Sequence, residues 1–258
     1  MLMYDFLDKI GLKAVLEAIK GKIPTVSNPN LLINPDFKIN QRGVSMIDTP
    51  GAYSVDRWKL VSGNVTVDKN GIYLDGTISQ TLENSVGTNV TASVSAGTAT
   101  YDDTTKTFTI TGSGVIISWA KLEYGSAATA FIPPDPATEL MKCCRYFQVI
   151  RPGSPLLGIV VNSSRIRITM PVVCPMQKNP KVNMQQNTGD FTWSFKLTNA
   201  AGASSFTTND FSAMSVVFIR TDGSSIELYI NVPHTMTTNE MVYASGSGGI
   251  YFELDSEI

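Results

Sequence analysis

The chain has few of the side chains on which metal and redox chemistry usually depend. Its 258 residues include one histidine and three cysteines. No Cys-x-x-Cys pair occurs, so the usual ligand set of a zinc site is missing. Cys143 and Cys144 are neighbours in sequence, and a disulfide between neighbours is strained. We therefore expect no disulfide scaffold, no metal site and no cofactor.

Charged residues are also scarce. They make up 16% of the chain, against about a quarter in an average soluble domain. The 20 basic and 22 acidic residues give a net charge of −2. Because a phosphate backbone is held mainly by clustered positive charge, nucleic acid is not an expected partner. Ser, Thr, Asn and Gly take the place of charges, which favours contacts with neutral polar ligands.

Long hydrophobic runs are missing as well. No segment approaches the roughly 18 consecutive apolar residues that cross a bilayer, so membrane insertion is not expected. The first residues carry Asp5 and Asp8, where a signal peptide would have positive charge. This predicts a protein that is made and assembled in a cytoplasm.

An apolar stripe runs through the first residues. Its spacing predicts an amphipathic helix over residues 3–22, within an N-terminal segment of residues 1–26. A lone helix of about 20 residues is marginal in water unless another surface covers its stripe. The helix therefore either folds back on its own domain or serves oligomerisation and attachment. The contact residues would be Leu2, Phe6, Ile10, Val15, Leu16 and Ile19.

Short alternating runs and turn dipeptides dominate residues 27–134. Alternation is clear at 77–82 and 105–110, and Asn70-Gly71 is typical of a hairpin turn. Because no helical period separates the runs, this region is predicted to be a β-sandwich, most simply a jelly roll. Gly112 to Gly114 is predicted to be a turn. Phe37, Trp58 and Trp119 are expected in its core.

Three strings here resemble the frame of bacteriophage and prophage tail-fibre or receptor-binding proteins. They are NLLINPDFKINQRG at 30–43, YSVDRW at 53–58 and WAKLEYGSAATAFIPPD at 119–135. The resemblance implies that the first and last strings are the outermost strands of a jelly roll related in shape to carbohydrate-binding modules. It also implies a homotrimer in the virion tail, bound to a tail or baseplate protein through the N-terminal helix.

Residues 135–258 are predicted to form a second all-β domain behind a short helix. Asp135 suits the N-cap and Pro136 the first turn of a helix that ends near Tyr146. Leu140, Cys143, Cys144 and Phe147 would share its buried face. Six further strands follow, with polar loops at 198–210 and 244–249. Because polar loops on a rigid sheet often carry binding, this domain is the predicted receptor-binding tip.

Tyr229 and Tyr243 are the candidate stacking platforms for a glycan. Trp193 is a third candidate, although its alternation with Phe191 and Phe195 is more typical of a core strand. Together these patterns predict a fibre protein that recognises a host cell-surface polysaccharide without catalysis. One alternative is a structural tail or baseplate protein that binds only other virion proteins. Another is a polysaccharide depolymerase, which needs two carboxylates about 5 to 10 Å apart.

Overall fold

A computed structural model describes residues 27–151, 156–186, 192–199, 202–208, 215–221, 225–231, 235–238, 240–247 and 250–257. The predicted N-terminal helix and its contact residues Leu2, Phe6, Ile10, Val15, Leu16 and Ile19 lie outside these ranges. The described residues are mainly antiparallel β-structure with one helix, as the alternation predicts. In this part of the chain no helix is long and apolar enough to cross a bilayer.

Seven strands in the first half form two antiparallel sheets. They are β1 Met46–Ile47, β2 Lys59–Asp68, β3 Gly71–Thr81, β4 Val90–Val94, β5 Thr98–Asp102, β6 Thr107–Ile117 and β7 Ala120–Tyr124. One sheet has the order β1-β2-β3-β6-β5, and the other pairs β4 with β7. Both sheets contribute to a single apolar core, which includes Leu60, Ile72, Ile78, Phe108, Ile110 and Leu122.

Period-two alternation explains why these strands bury one face. In β3, Ile72, Leu74 and Ile78 are fully buried, whereas Tyr73 and Asp75 point to the open side. The turn predicted at Gly112 to Gly114 is wrong, because β6 continues through it. Gly112 allows a close approach instead, since a Cβ there would lie 2.8 Å from Cγ2 of Val115.

The opening and closing strings lie side by side. The Leu31 amide donates to the Leu122 carbonyl at 2.8 Å, and the Ala120 amide donates to the Pro35 carbonyl at the same distance. The opening string forms turns rather than the expected strand. At Ile39, the side chain of Asn34 takes both backbone hydrogen bonds that a strand would give to a neighbour.

Two of the three predicted core aromatics are in the core. Phe37 and Trp58 are buried with their ring centroids 5.0 Å apart. Trp119 is only half-buried and stacks on Phe131 at 5.2 Å. The prediction was therefore too strong for Trp119.

The helix α1 spans Pro136–Cys144, close to its predicted bounds. The Asp135 carboxylate accepts from the Thr138 amide at 2.8 Å, which is the expected N-cap. Cys143 and Cys144 are buried, but Leu140 is 39% exposed, so its assignment to the buried face was wrong. Glu139 lies on the buried face instead, because its carboxylate accepts from the backbone N–H of the buried Asn34 at 2.6 Å.

Ten strands follow the helix among the residues that the structure describes. They are β8 Phe147–Ile150, β9 Leu156–Asn162, β10 Arg165–Pro171, β11 Lys181–Gln186, β12 Thr192–Asn199, β13 Gly202–Thr208, β14 Ser215–Thr221, β15 Ser225–Asn231, β16 Met241–Ser247 and β17 Ile250–Asp255. Seven form a sheet of order β13-β12-β16-β9-β10-β15-β14, and β11-β17-β8 form another. Most of the loop predicted at 198–210 is strand β13, so that prediction was wrong.

Candidate functional site

The three predicted glycan contacts all fall within the seven-stranded sheet. Tyr229 in β15 pairs with Arg167 of β10, Tyr243 in β16 pairs with Lys196 of β12, and Trp193 of β12 pairs with Gly246. Strands β9 and β10 separate β16 from β15. The sheet therefore does not bring the three positions into one site.

The surroundings of Tyr229 combine an aromatic ring, a cation, an anion and exposed apolar side chains. Across four neighbouring strands, Met241, Ile159, Arg167 and Tyr229 stand directly opposite one another. We call these four residues the Tyr229 row. Arg167 Nη1 lies 3.9 Å from Oε1 of Glu227.

The two sides of this sheet differ sharply in exposure. Met241 of the Tyr229 row is 49% exposed, and Leu157 near it is 54% exposed. The opposite face is packed, with Val160, Ile168 and Val242 fully buried or nearly so. The Tyr229 row thus lies on the more accessible face of the sheet.

A second candidate lies where residues 27–134, which we call the first module, meet the last described residues of the chain. The Arg57 guanidinium pairs with the carboxylate of Glu257, donates to the Thr81 carbonyl at 2.6 Å and lies 3.6 Å from the centre of the Tyr146 ring. Arg57 is buried and has a φ of +73°. Its charge is therefore balanced inside the protein rather than offered to solvent.

Arg42 holds the same chain end from the other side. Its guanidinium nitrogens lie 3.3 Å from Asp255, 3.6 Å from Glu257 and 3.8 Å from Asp56. The last of these distances is too long for a hydrogen bond, so Arg42 and Asp56 interact by charge alone. The guanidinium also lies 3.8 Å from the centre of the Phe147 ring.

Asp56 is the most perturbed carboxyl group of this junction. Burial raises its pKa to about 6, while hydrogen bonds from Gln41 and the charge of Arg42 oppose the rise. The backbone amide and the side-chain amide of Gln41 donate to its two oxygens at 3.0 and 2.6 Å. Asp56 is thus positioned by donors and is closed off from solvent.

A cleft of about 210 Å³ opens beside Arg57. Its polar lining includes Glu83, Arg145 and Tyr146, and apolar side chains complete it. Glu83 accepts from the Tyr146 hydroxyl and pairs with Arg145 at 2.9 Å. Burial, with help from the hydrogen bond to Glu83, raises the pKa of Tyr146. The polar groups of this cleft bind mainly one another.

Sequence reasoning missed Glu83, Tyr146 and Glu257 as members of one cluster. The only earlier pointer to this place was the YSVDRW string, which includes Asp56 and Arg57. The structure places both residues in a turn. All three cysteines are free and buried, as predicted for Cys143 and Cys144, and burial raises the thiol pKa of Cys144 to about 11.

Comparison with known proteins adds no relative: no family model, curated protein or solved structure matches the chain.

Proposed function

We propose that the protein is a receptor-binding component of a bacteriophage or prophage tail that recognises a host cell-surface polysaccharide without catalysis. The observation that carries the proposal is the Tyr229 row on the accessible face of the seven-stranded sheet. Sugars offer apolar C–H faces to aromatic rings and hydroxyls to charged or amide groups. Tyr229, Arg167 and Glu227 supply both kinds of partner within one small area.

The fold of residues 27–134 supports the same proposal. Its five-stranded and two-stranded antiparallel sheets share one apolar core, an arrangement compatible with the jelly roll that the resemblance implies. Jelly rolls present open sheet faces and loops on a rigid frame, and lectin domains use them in this way. Residues 135–258 would then be the receptor-binding domain.

Hydrolysis is less well supported than binding. The cleft beside Arg57 is lined by a single carboxylate, Glu83, which is already engaged by Tyr146 and Arg145. A depolymerase needs a second carboxylate within about 10 Å to activate water or to attack the sugar. The structural alternative has one observation in its favour, the exposure of Leu157, Val161 and Met241, since exposed apolar patches often mark protein contacts.

A binding assay on whole cells tests the glycan proposal. Fluorescent full-length protein is mixed with a panel of bacterial strains, before and after periodate treatment of their surface sugars. We expect binding that periodate abolishes and that Tyr229→Ala weakens by about tenfold, the loss of one stacked ring. Tyr251→Ala, which removes a half-buried tyrosine from the three-stranded sheet, is the matched control. Binding that survives periodate would support the structural alternative.

Assembly in the tail is the second part of the proposal. We propose a homotrimer whose N-terminal helices bundle and attach to a tail or baseplate protein in the virion. Deleting residues 1–26 should then leave a folded β-protein of lower mass in light scattering. Circular dichroism of the strands serves as the control for folding. An unchanged mass after the deletion would remove the helix from the assembly.

A further inference from the structure

The outer face of the five-stranded sheet carries a regular array of hydroxyl groups. One line across four strands pairs Ser62 with Thr77, Thr77 with Thr111 and Thr111 with Thr98. The next line pairs Thr109 with Thr100. We call this surface the hydroxyl face, formed by Ser62, Thr77, Thr98, Thr100, Thr109 and Thr111.

The spacing of the array follows from strand geometry. Neighbouring strands lie about 4.8 Å apart, and alternate residues of one strand lie about 6.8 Å apart. The hydroxyls of Thr77 and Thr111 are 3.2 Å from each other. Thr98, Thr100 and Thr111 are exposed. Each hydroxyl can rotate to donate or to accept, so the face can follow a chain of hydroxyl-bearing units.

An exposed tyrosine lies at one end of the array. Tyr73 stands between Thr66 and Ile116 on the neighbouring strands and is 39% exposed. Its ring leans over β6, because a Cβ at Gly114 would lie 3.2 Å from the Tyr73 hydroxyl oxygen. The glycine therefore leaves room for the ring to lie across the sheet. Asn64 and Asp75, paired in the next line, add an amide and a carboxylate beside it.

We propose that the hydroxyl face and Tyr73 bind an extended, uncharged polysaccharide chain. This inference rests on the proposed function and adds a second contact surface to it, in the first module. One sugar would stack on Tyr73 with its hydroxyls on Asn64 and Asp75, and the following sugars would lie along the threonines. The strand spacing is of the same order as the length of a pyranose unit, so successive hydroxyls can meet successive strands.

The charge of the face selects among ligands. Asp75 is a carboxylate in the middle of the surface, whereas Lys59 stands at its edge, opposite Ser79. Asp75 would repel an acidic polysaccharide, and Lys59, at the edge of the face, is not paired with it. A protein partner is a poorer match, because Ser and Thr are under-represented among the residues that dominate protein–protein binding.

The test uses the full-length protein and soluble polysaccharides. Affinity electrophoresis and calorimetry are run with dextran, mannan and galactan as neutral probes and with polygalacturonate as the acidic probe. The variants are Tyr73→Ala and the double variant Thr77→Val with Thr111→Val, which removes two hydroxyls and keeps the β-branched shape. Tyr124→Ala removes a tyrosine from β7 that is 52% exposed, more than Tyr73, and is the control. Every variant is also measured on the bacterial cells that bind the wild-type protein.

We expect Tyr73→Ala to weaken binding to a neutral polysaccharide or to cells about tenfold, the double threonine variant to weaken it several-fold, and Tyr124→Ala to leave it unchanged. Wild-type affinity in both Tyr73→Ala and the threonine variant would overturn the inference and leave the proposed function intact. Binding to polygalacturonate alone would also overturn it, as would a lower oligomeric mass of Tyr73→Ala, which would assign the face to a second copy. No binding to any polysaccharide or cell would overturn both proposals.

Discussion

Single side chains hold the irregular opening segment in place. The Asn34 amide nitrogen donates to the carbonyls of Ile39 and Asp56, each at 2.9 Å, and its oxygen accepts from the Ile39 amide at the same distance. Asn34 has a φ of +54°, which Asn tolerates better than most residues. One small amide thus fixes the turn that brings Asp56 to the junction.

The raised pKa of Asp56 makes stability depend on pH. Because the native pKa is about 6 and the unfolded value is about 3.9, the native state binds an extra proton between these values. The contribution of Asp56 is fully present below pH 4 and is lost as pH rises through 6. As pH rises from below 4 to above 6, we expect the free energy of unfolding of the wild-type protein to fall by about 3 kcal/mol. Urea unfolding at several pH values measures this change.

Asp56→Asn should remove that part of the pH dependence, because the amide has no proton to lose. Asp48→Asn changes an exposed carboxylate of the same segment and should leave the pH profile as it is. Equal pH slopes for the wild-type protein and Asp56→Asn would show that Asp56 is not the titrating group.

At the scale of elements, α1 depends on its N-terminal cap. The Asp135 carboxylate accepts from the Thr138 amide, and hydrogen bonding to the backbone and side chain of Thr138 lowers the pKa of Asp135. We expect Asp135→Ala to lower the free energy of unfolding by about 1 kcal/mol. Asp135→Ser keeps a capping oxygen, so its free energy of unfolding should fall much less. Chemical denaturation of both variants measures the difference. Equal losses would mean that the cap does not contribute.

Regular elements were predictable where the sequence alternates, and less so elsewhere. The alternation at 77–82 and 105–110 predicted parts of β3 and β6, and the cap at Asp135 predicted α1 nearly to its ends. The strand β13, Gly202–Thr208, was missed because its small polar residues are typical of a loop. Its antiparallel pairing with β12 makes it a strand. The junction was not predictable, since Arg57 and Glu257 are 200 residues apart and only the complete fold brings them together.

At the scale of the whole molecule, the end of the chain locks onto the first module. Besides the pair of Arg57 with Glu257, the Ser256 amide donates to the Tyr146 carbonyl at 2.7 Å. These contacts tie residues on both sides of α1 to the two residues that follow β17. Fragments cut near residue 138 would lose them, so binding is better mapped with point variants of the full chain.

Glu257→Gln tests this coupling. The substitution leaves the buried Arg57 cation without its charged partner, and we expect it to cost about 3–5 kcal/mol in unfolding free energy. Asp255→Asn, whose carboxylate is a third exposed and pairs with Arg42, should cost less than about 1 kcal/mol. Similar losses for the two variants in chemical denaturation would contradict a buried and tightly coupled pair.

The three buried cysteines surround the same junction, two at the end of α1 and the third, Cys174, with its thiol 3.6 Å from the Met141 carbonyl. The thiolate is the nucleophile that attacks a thiol-reactive dye, and burial suppresses its formation here by raising the pKa of all three thiols. The rate at which a dye labels the native protein therefore measures how often this junction opens. A cysteine engineered at an exposed position outside the hydroxyl face, such as Ser126, would react long before the natural three, giving a single attachment point for a fluorophore.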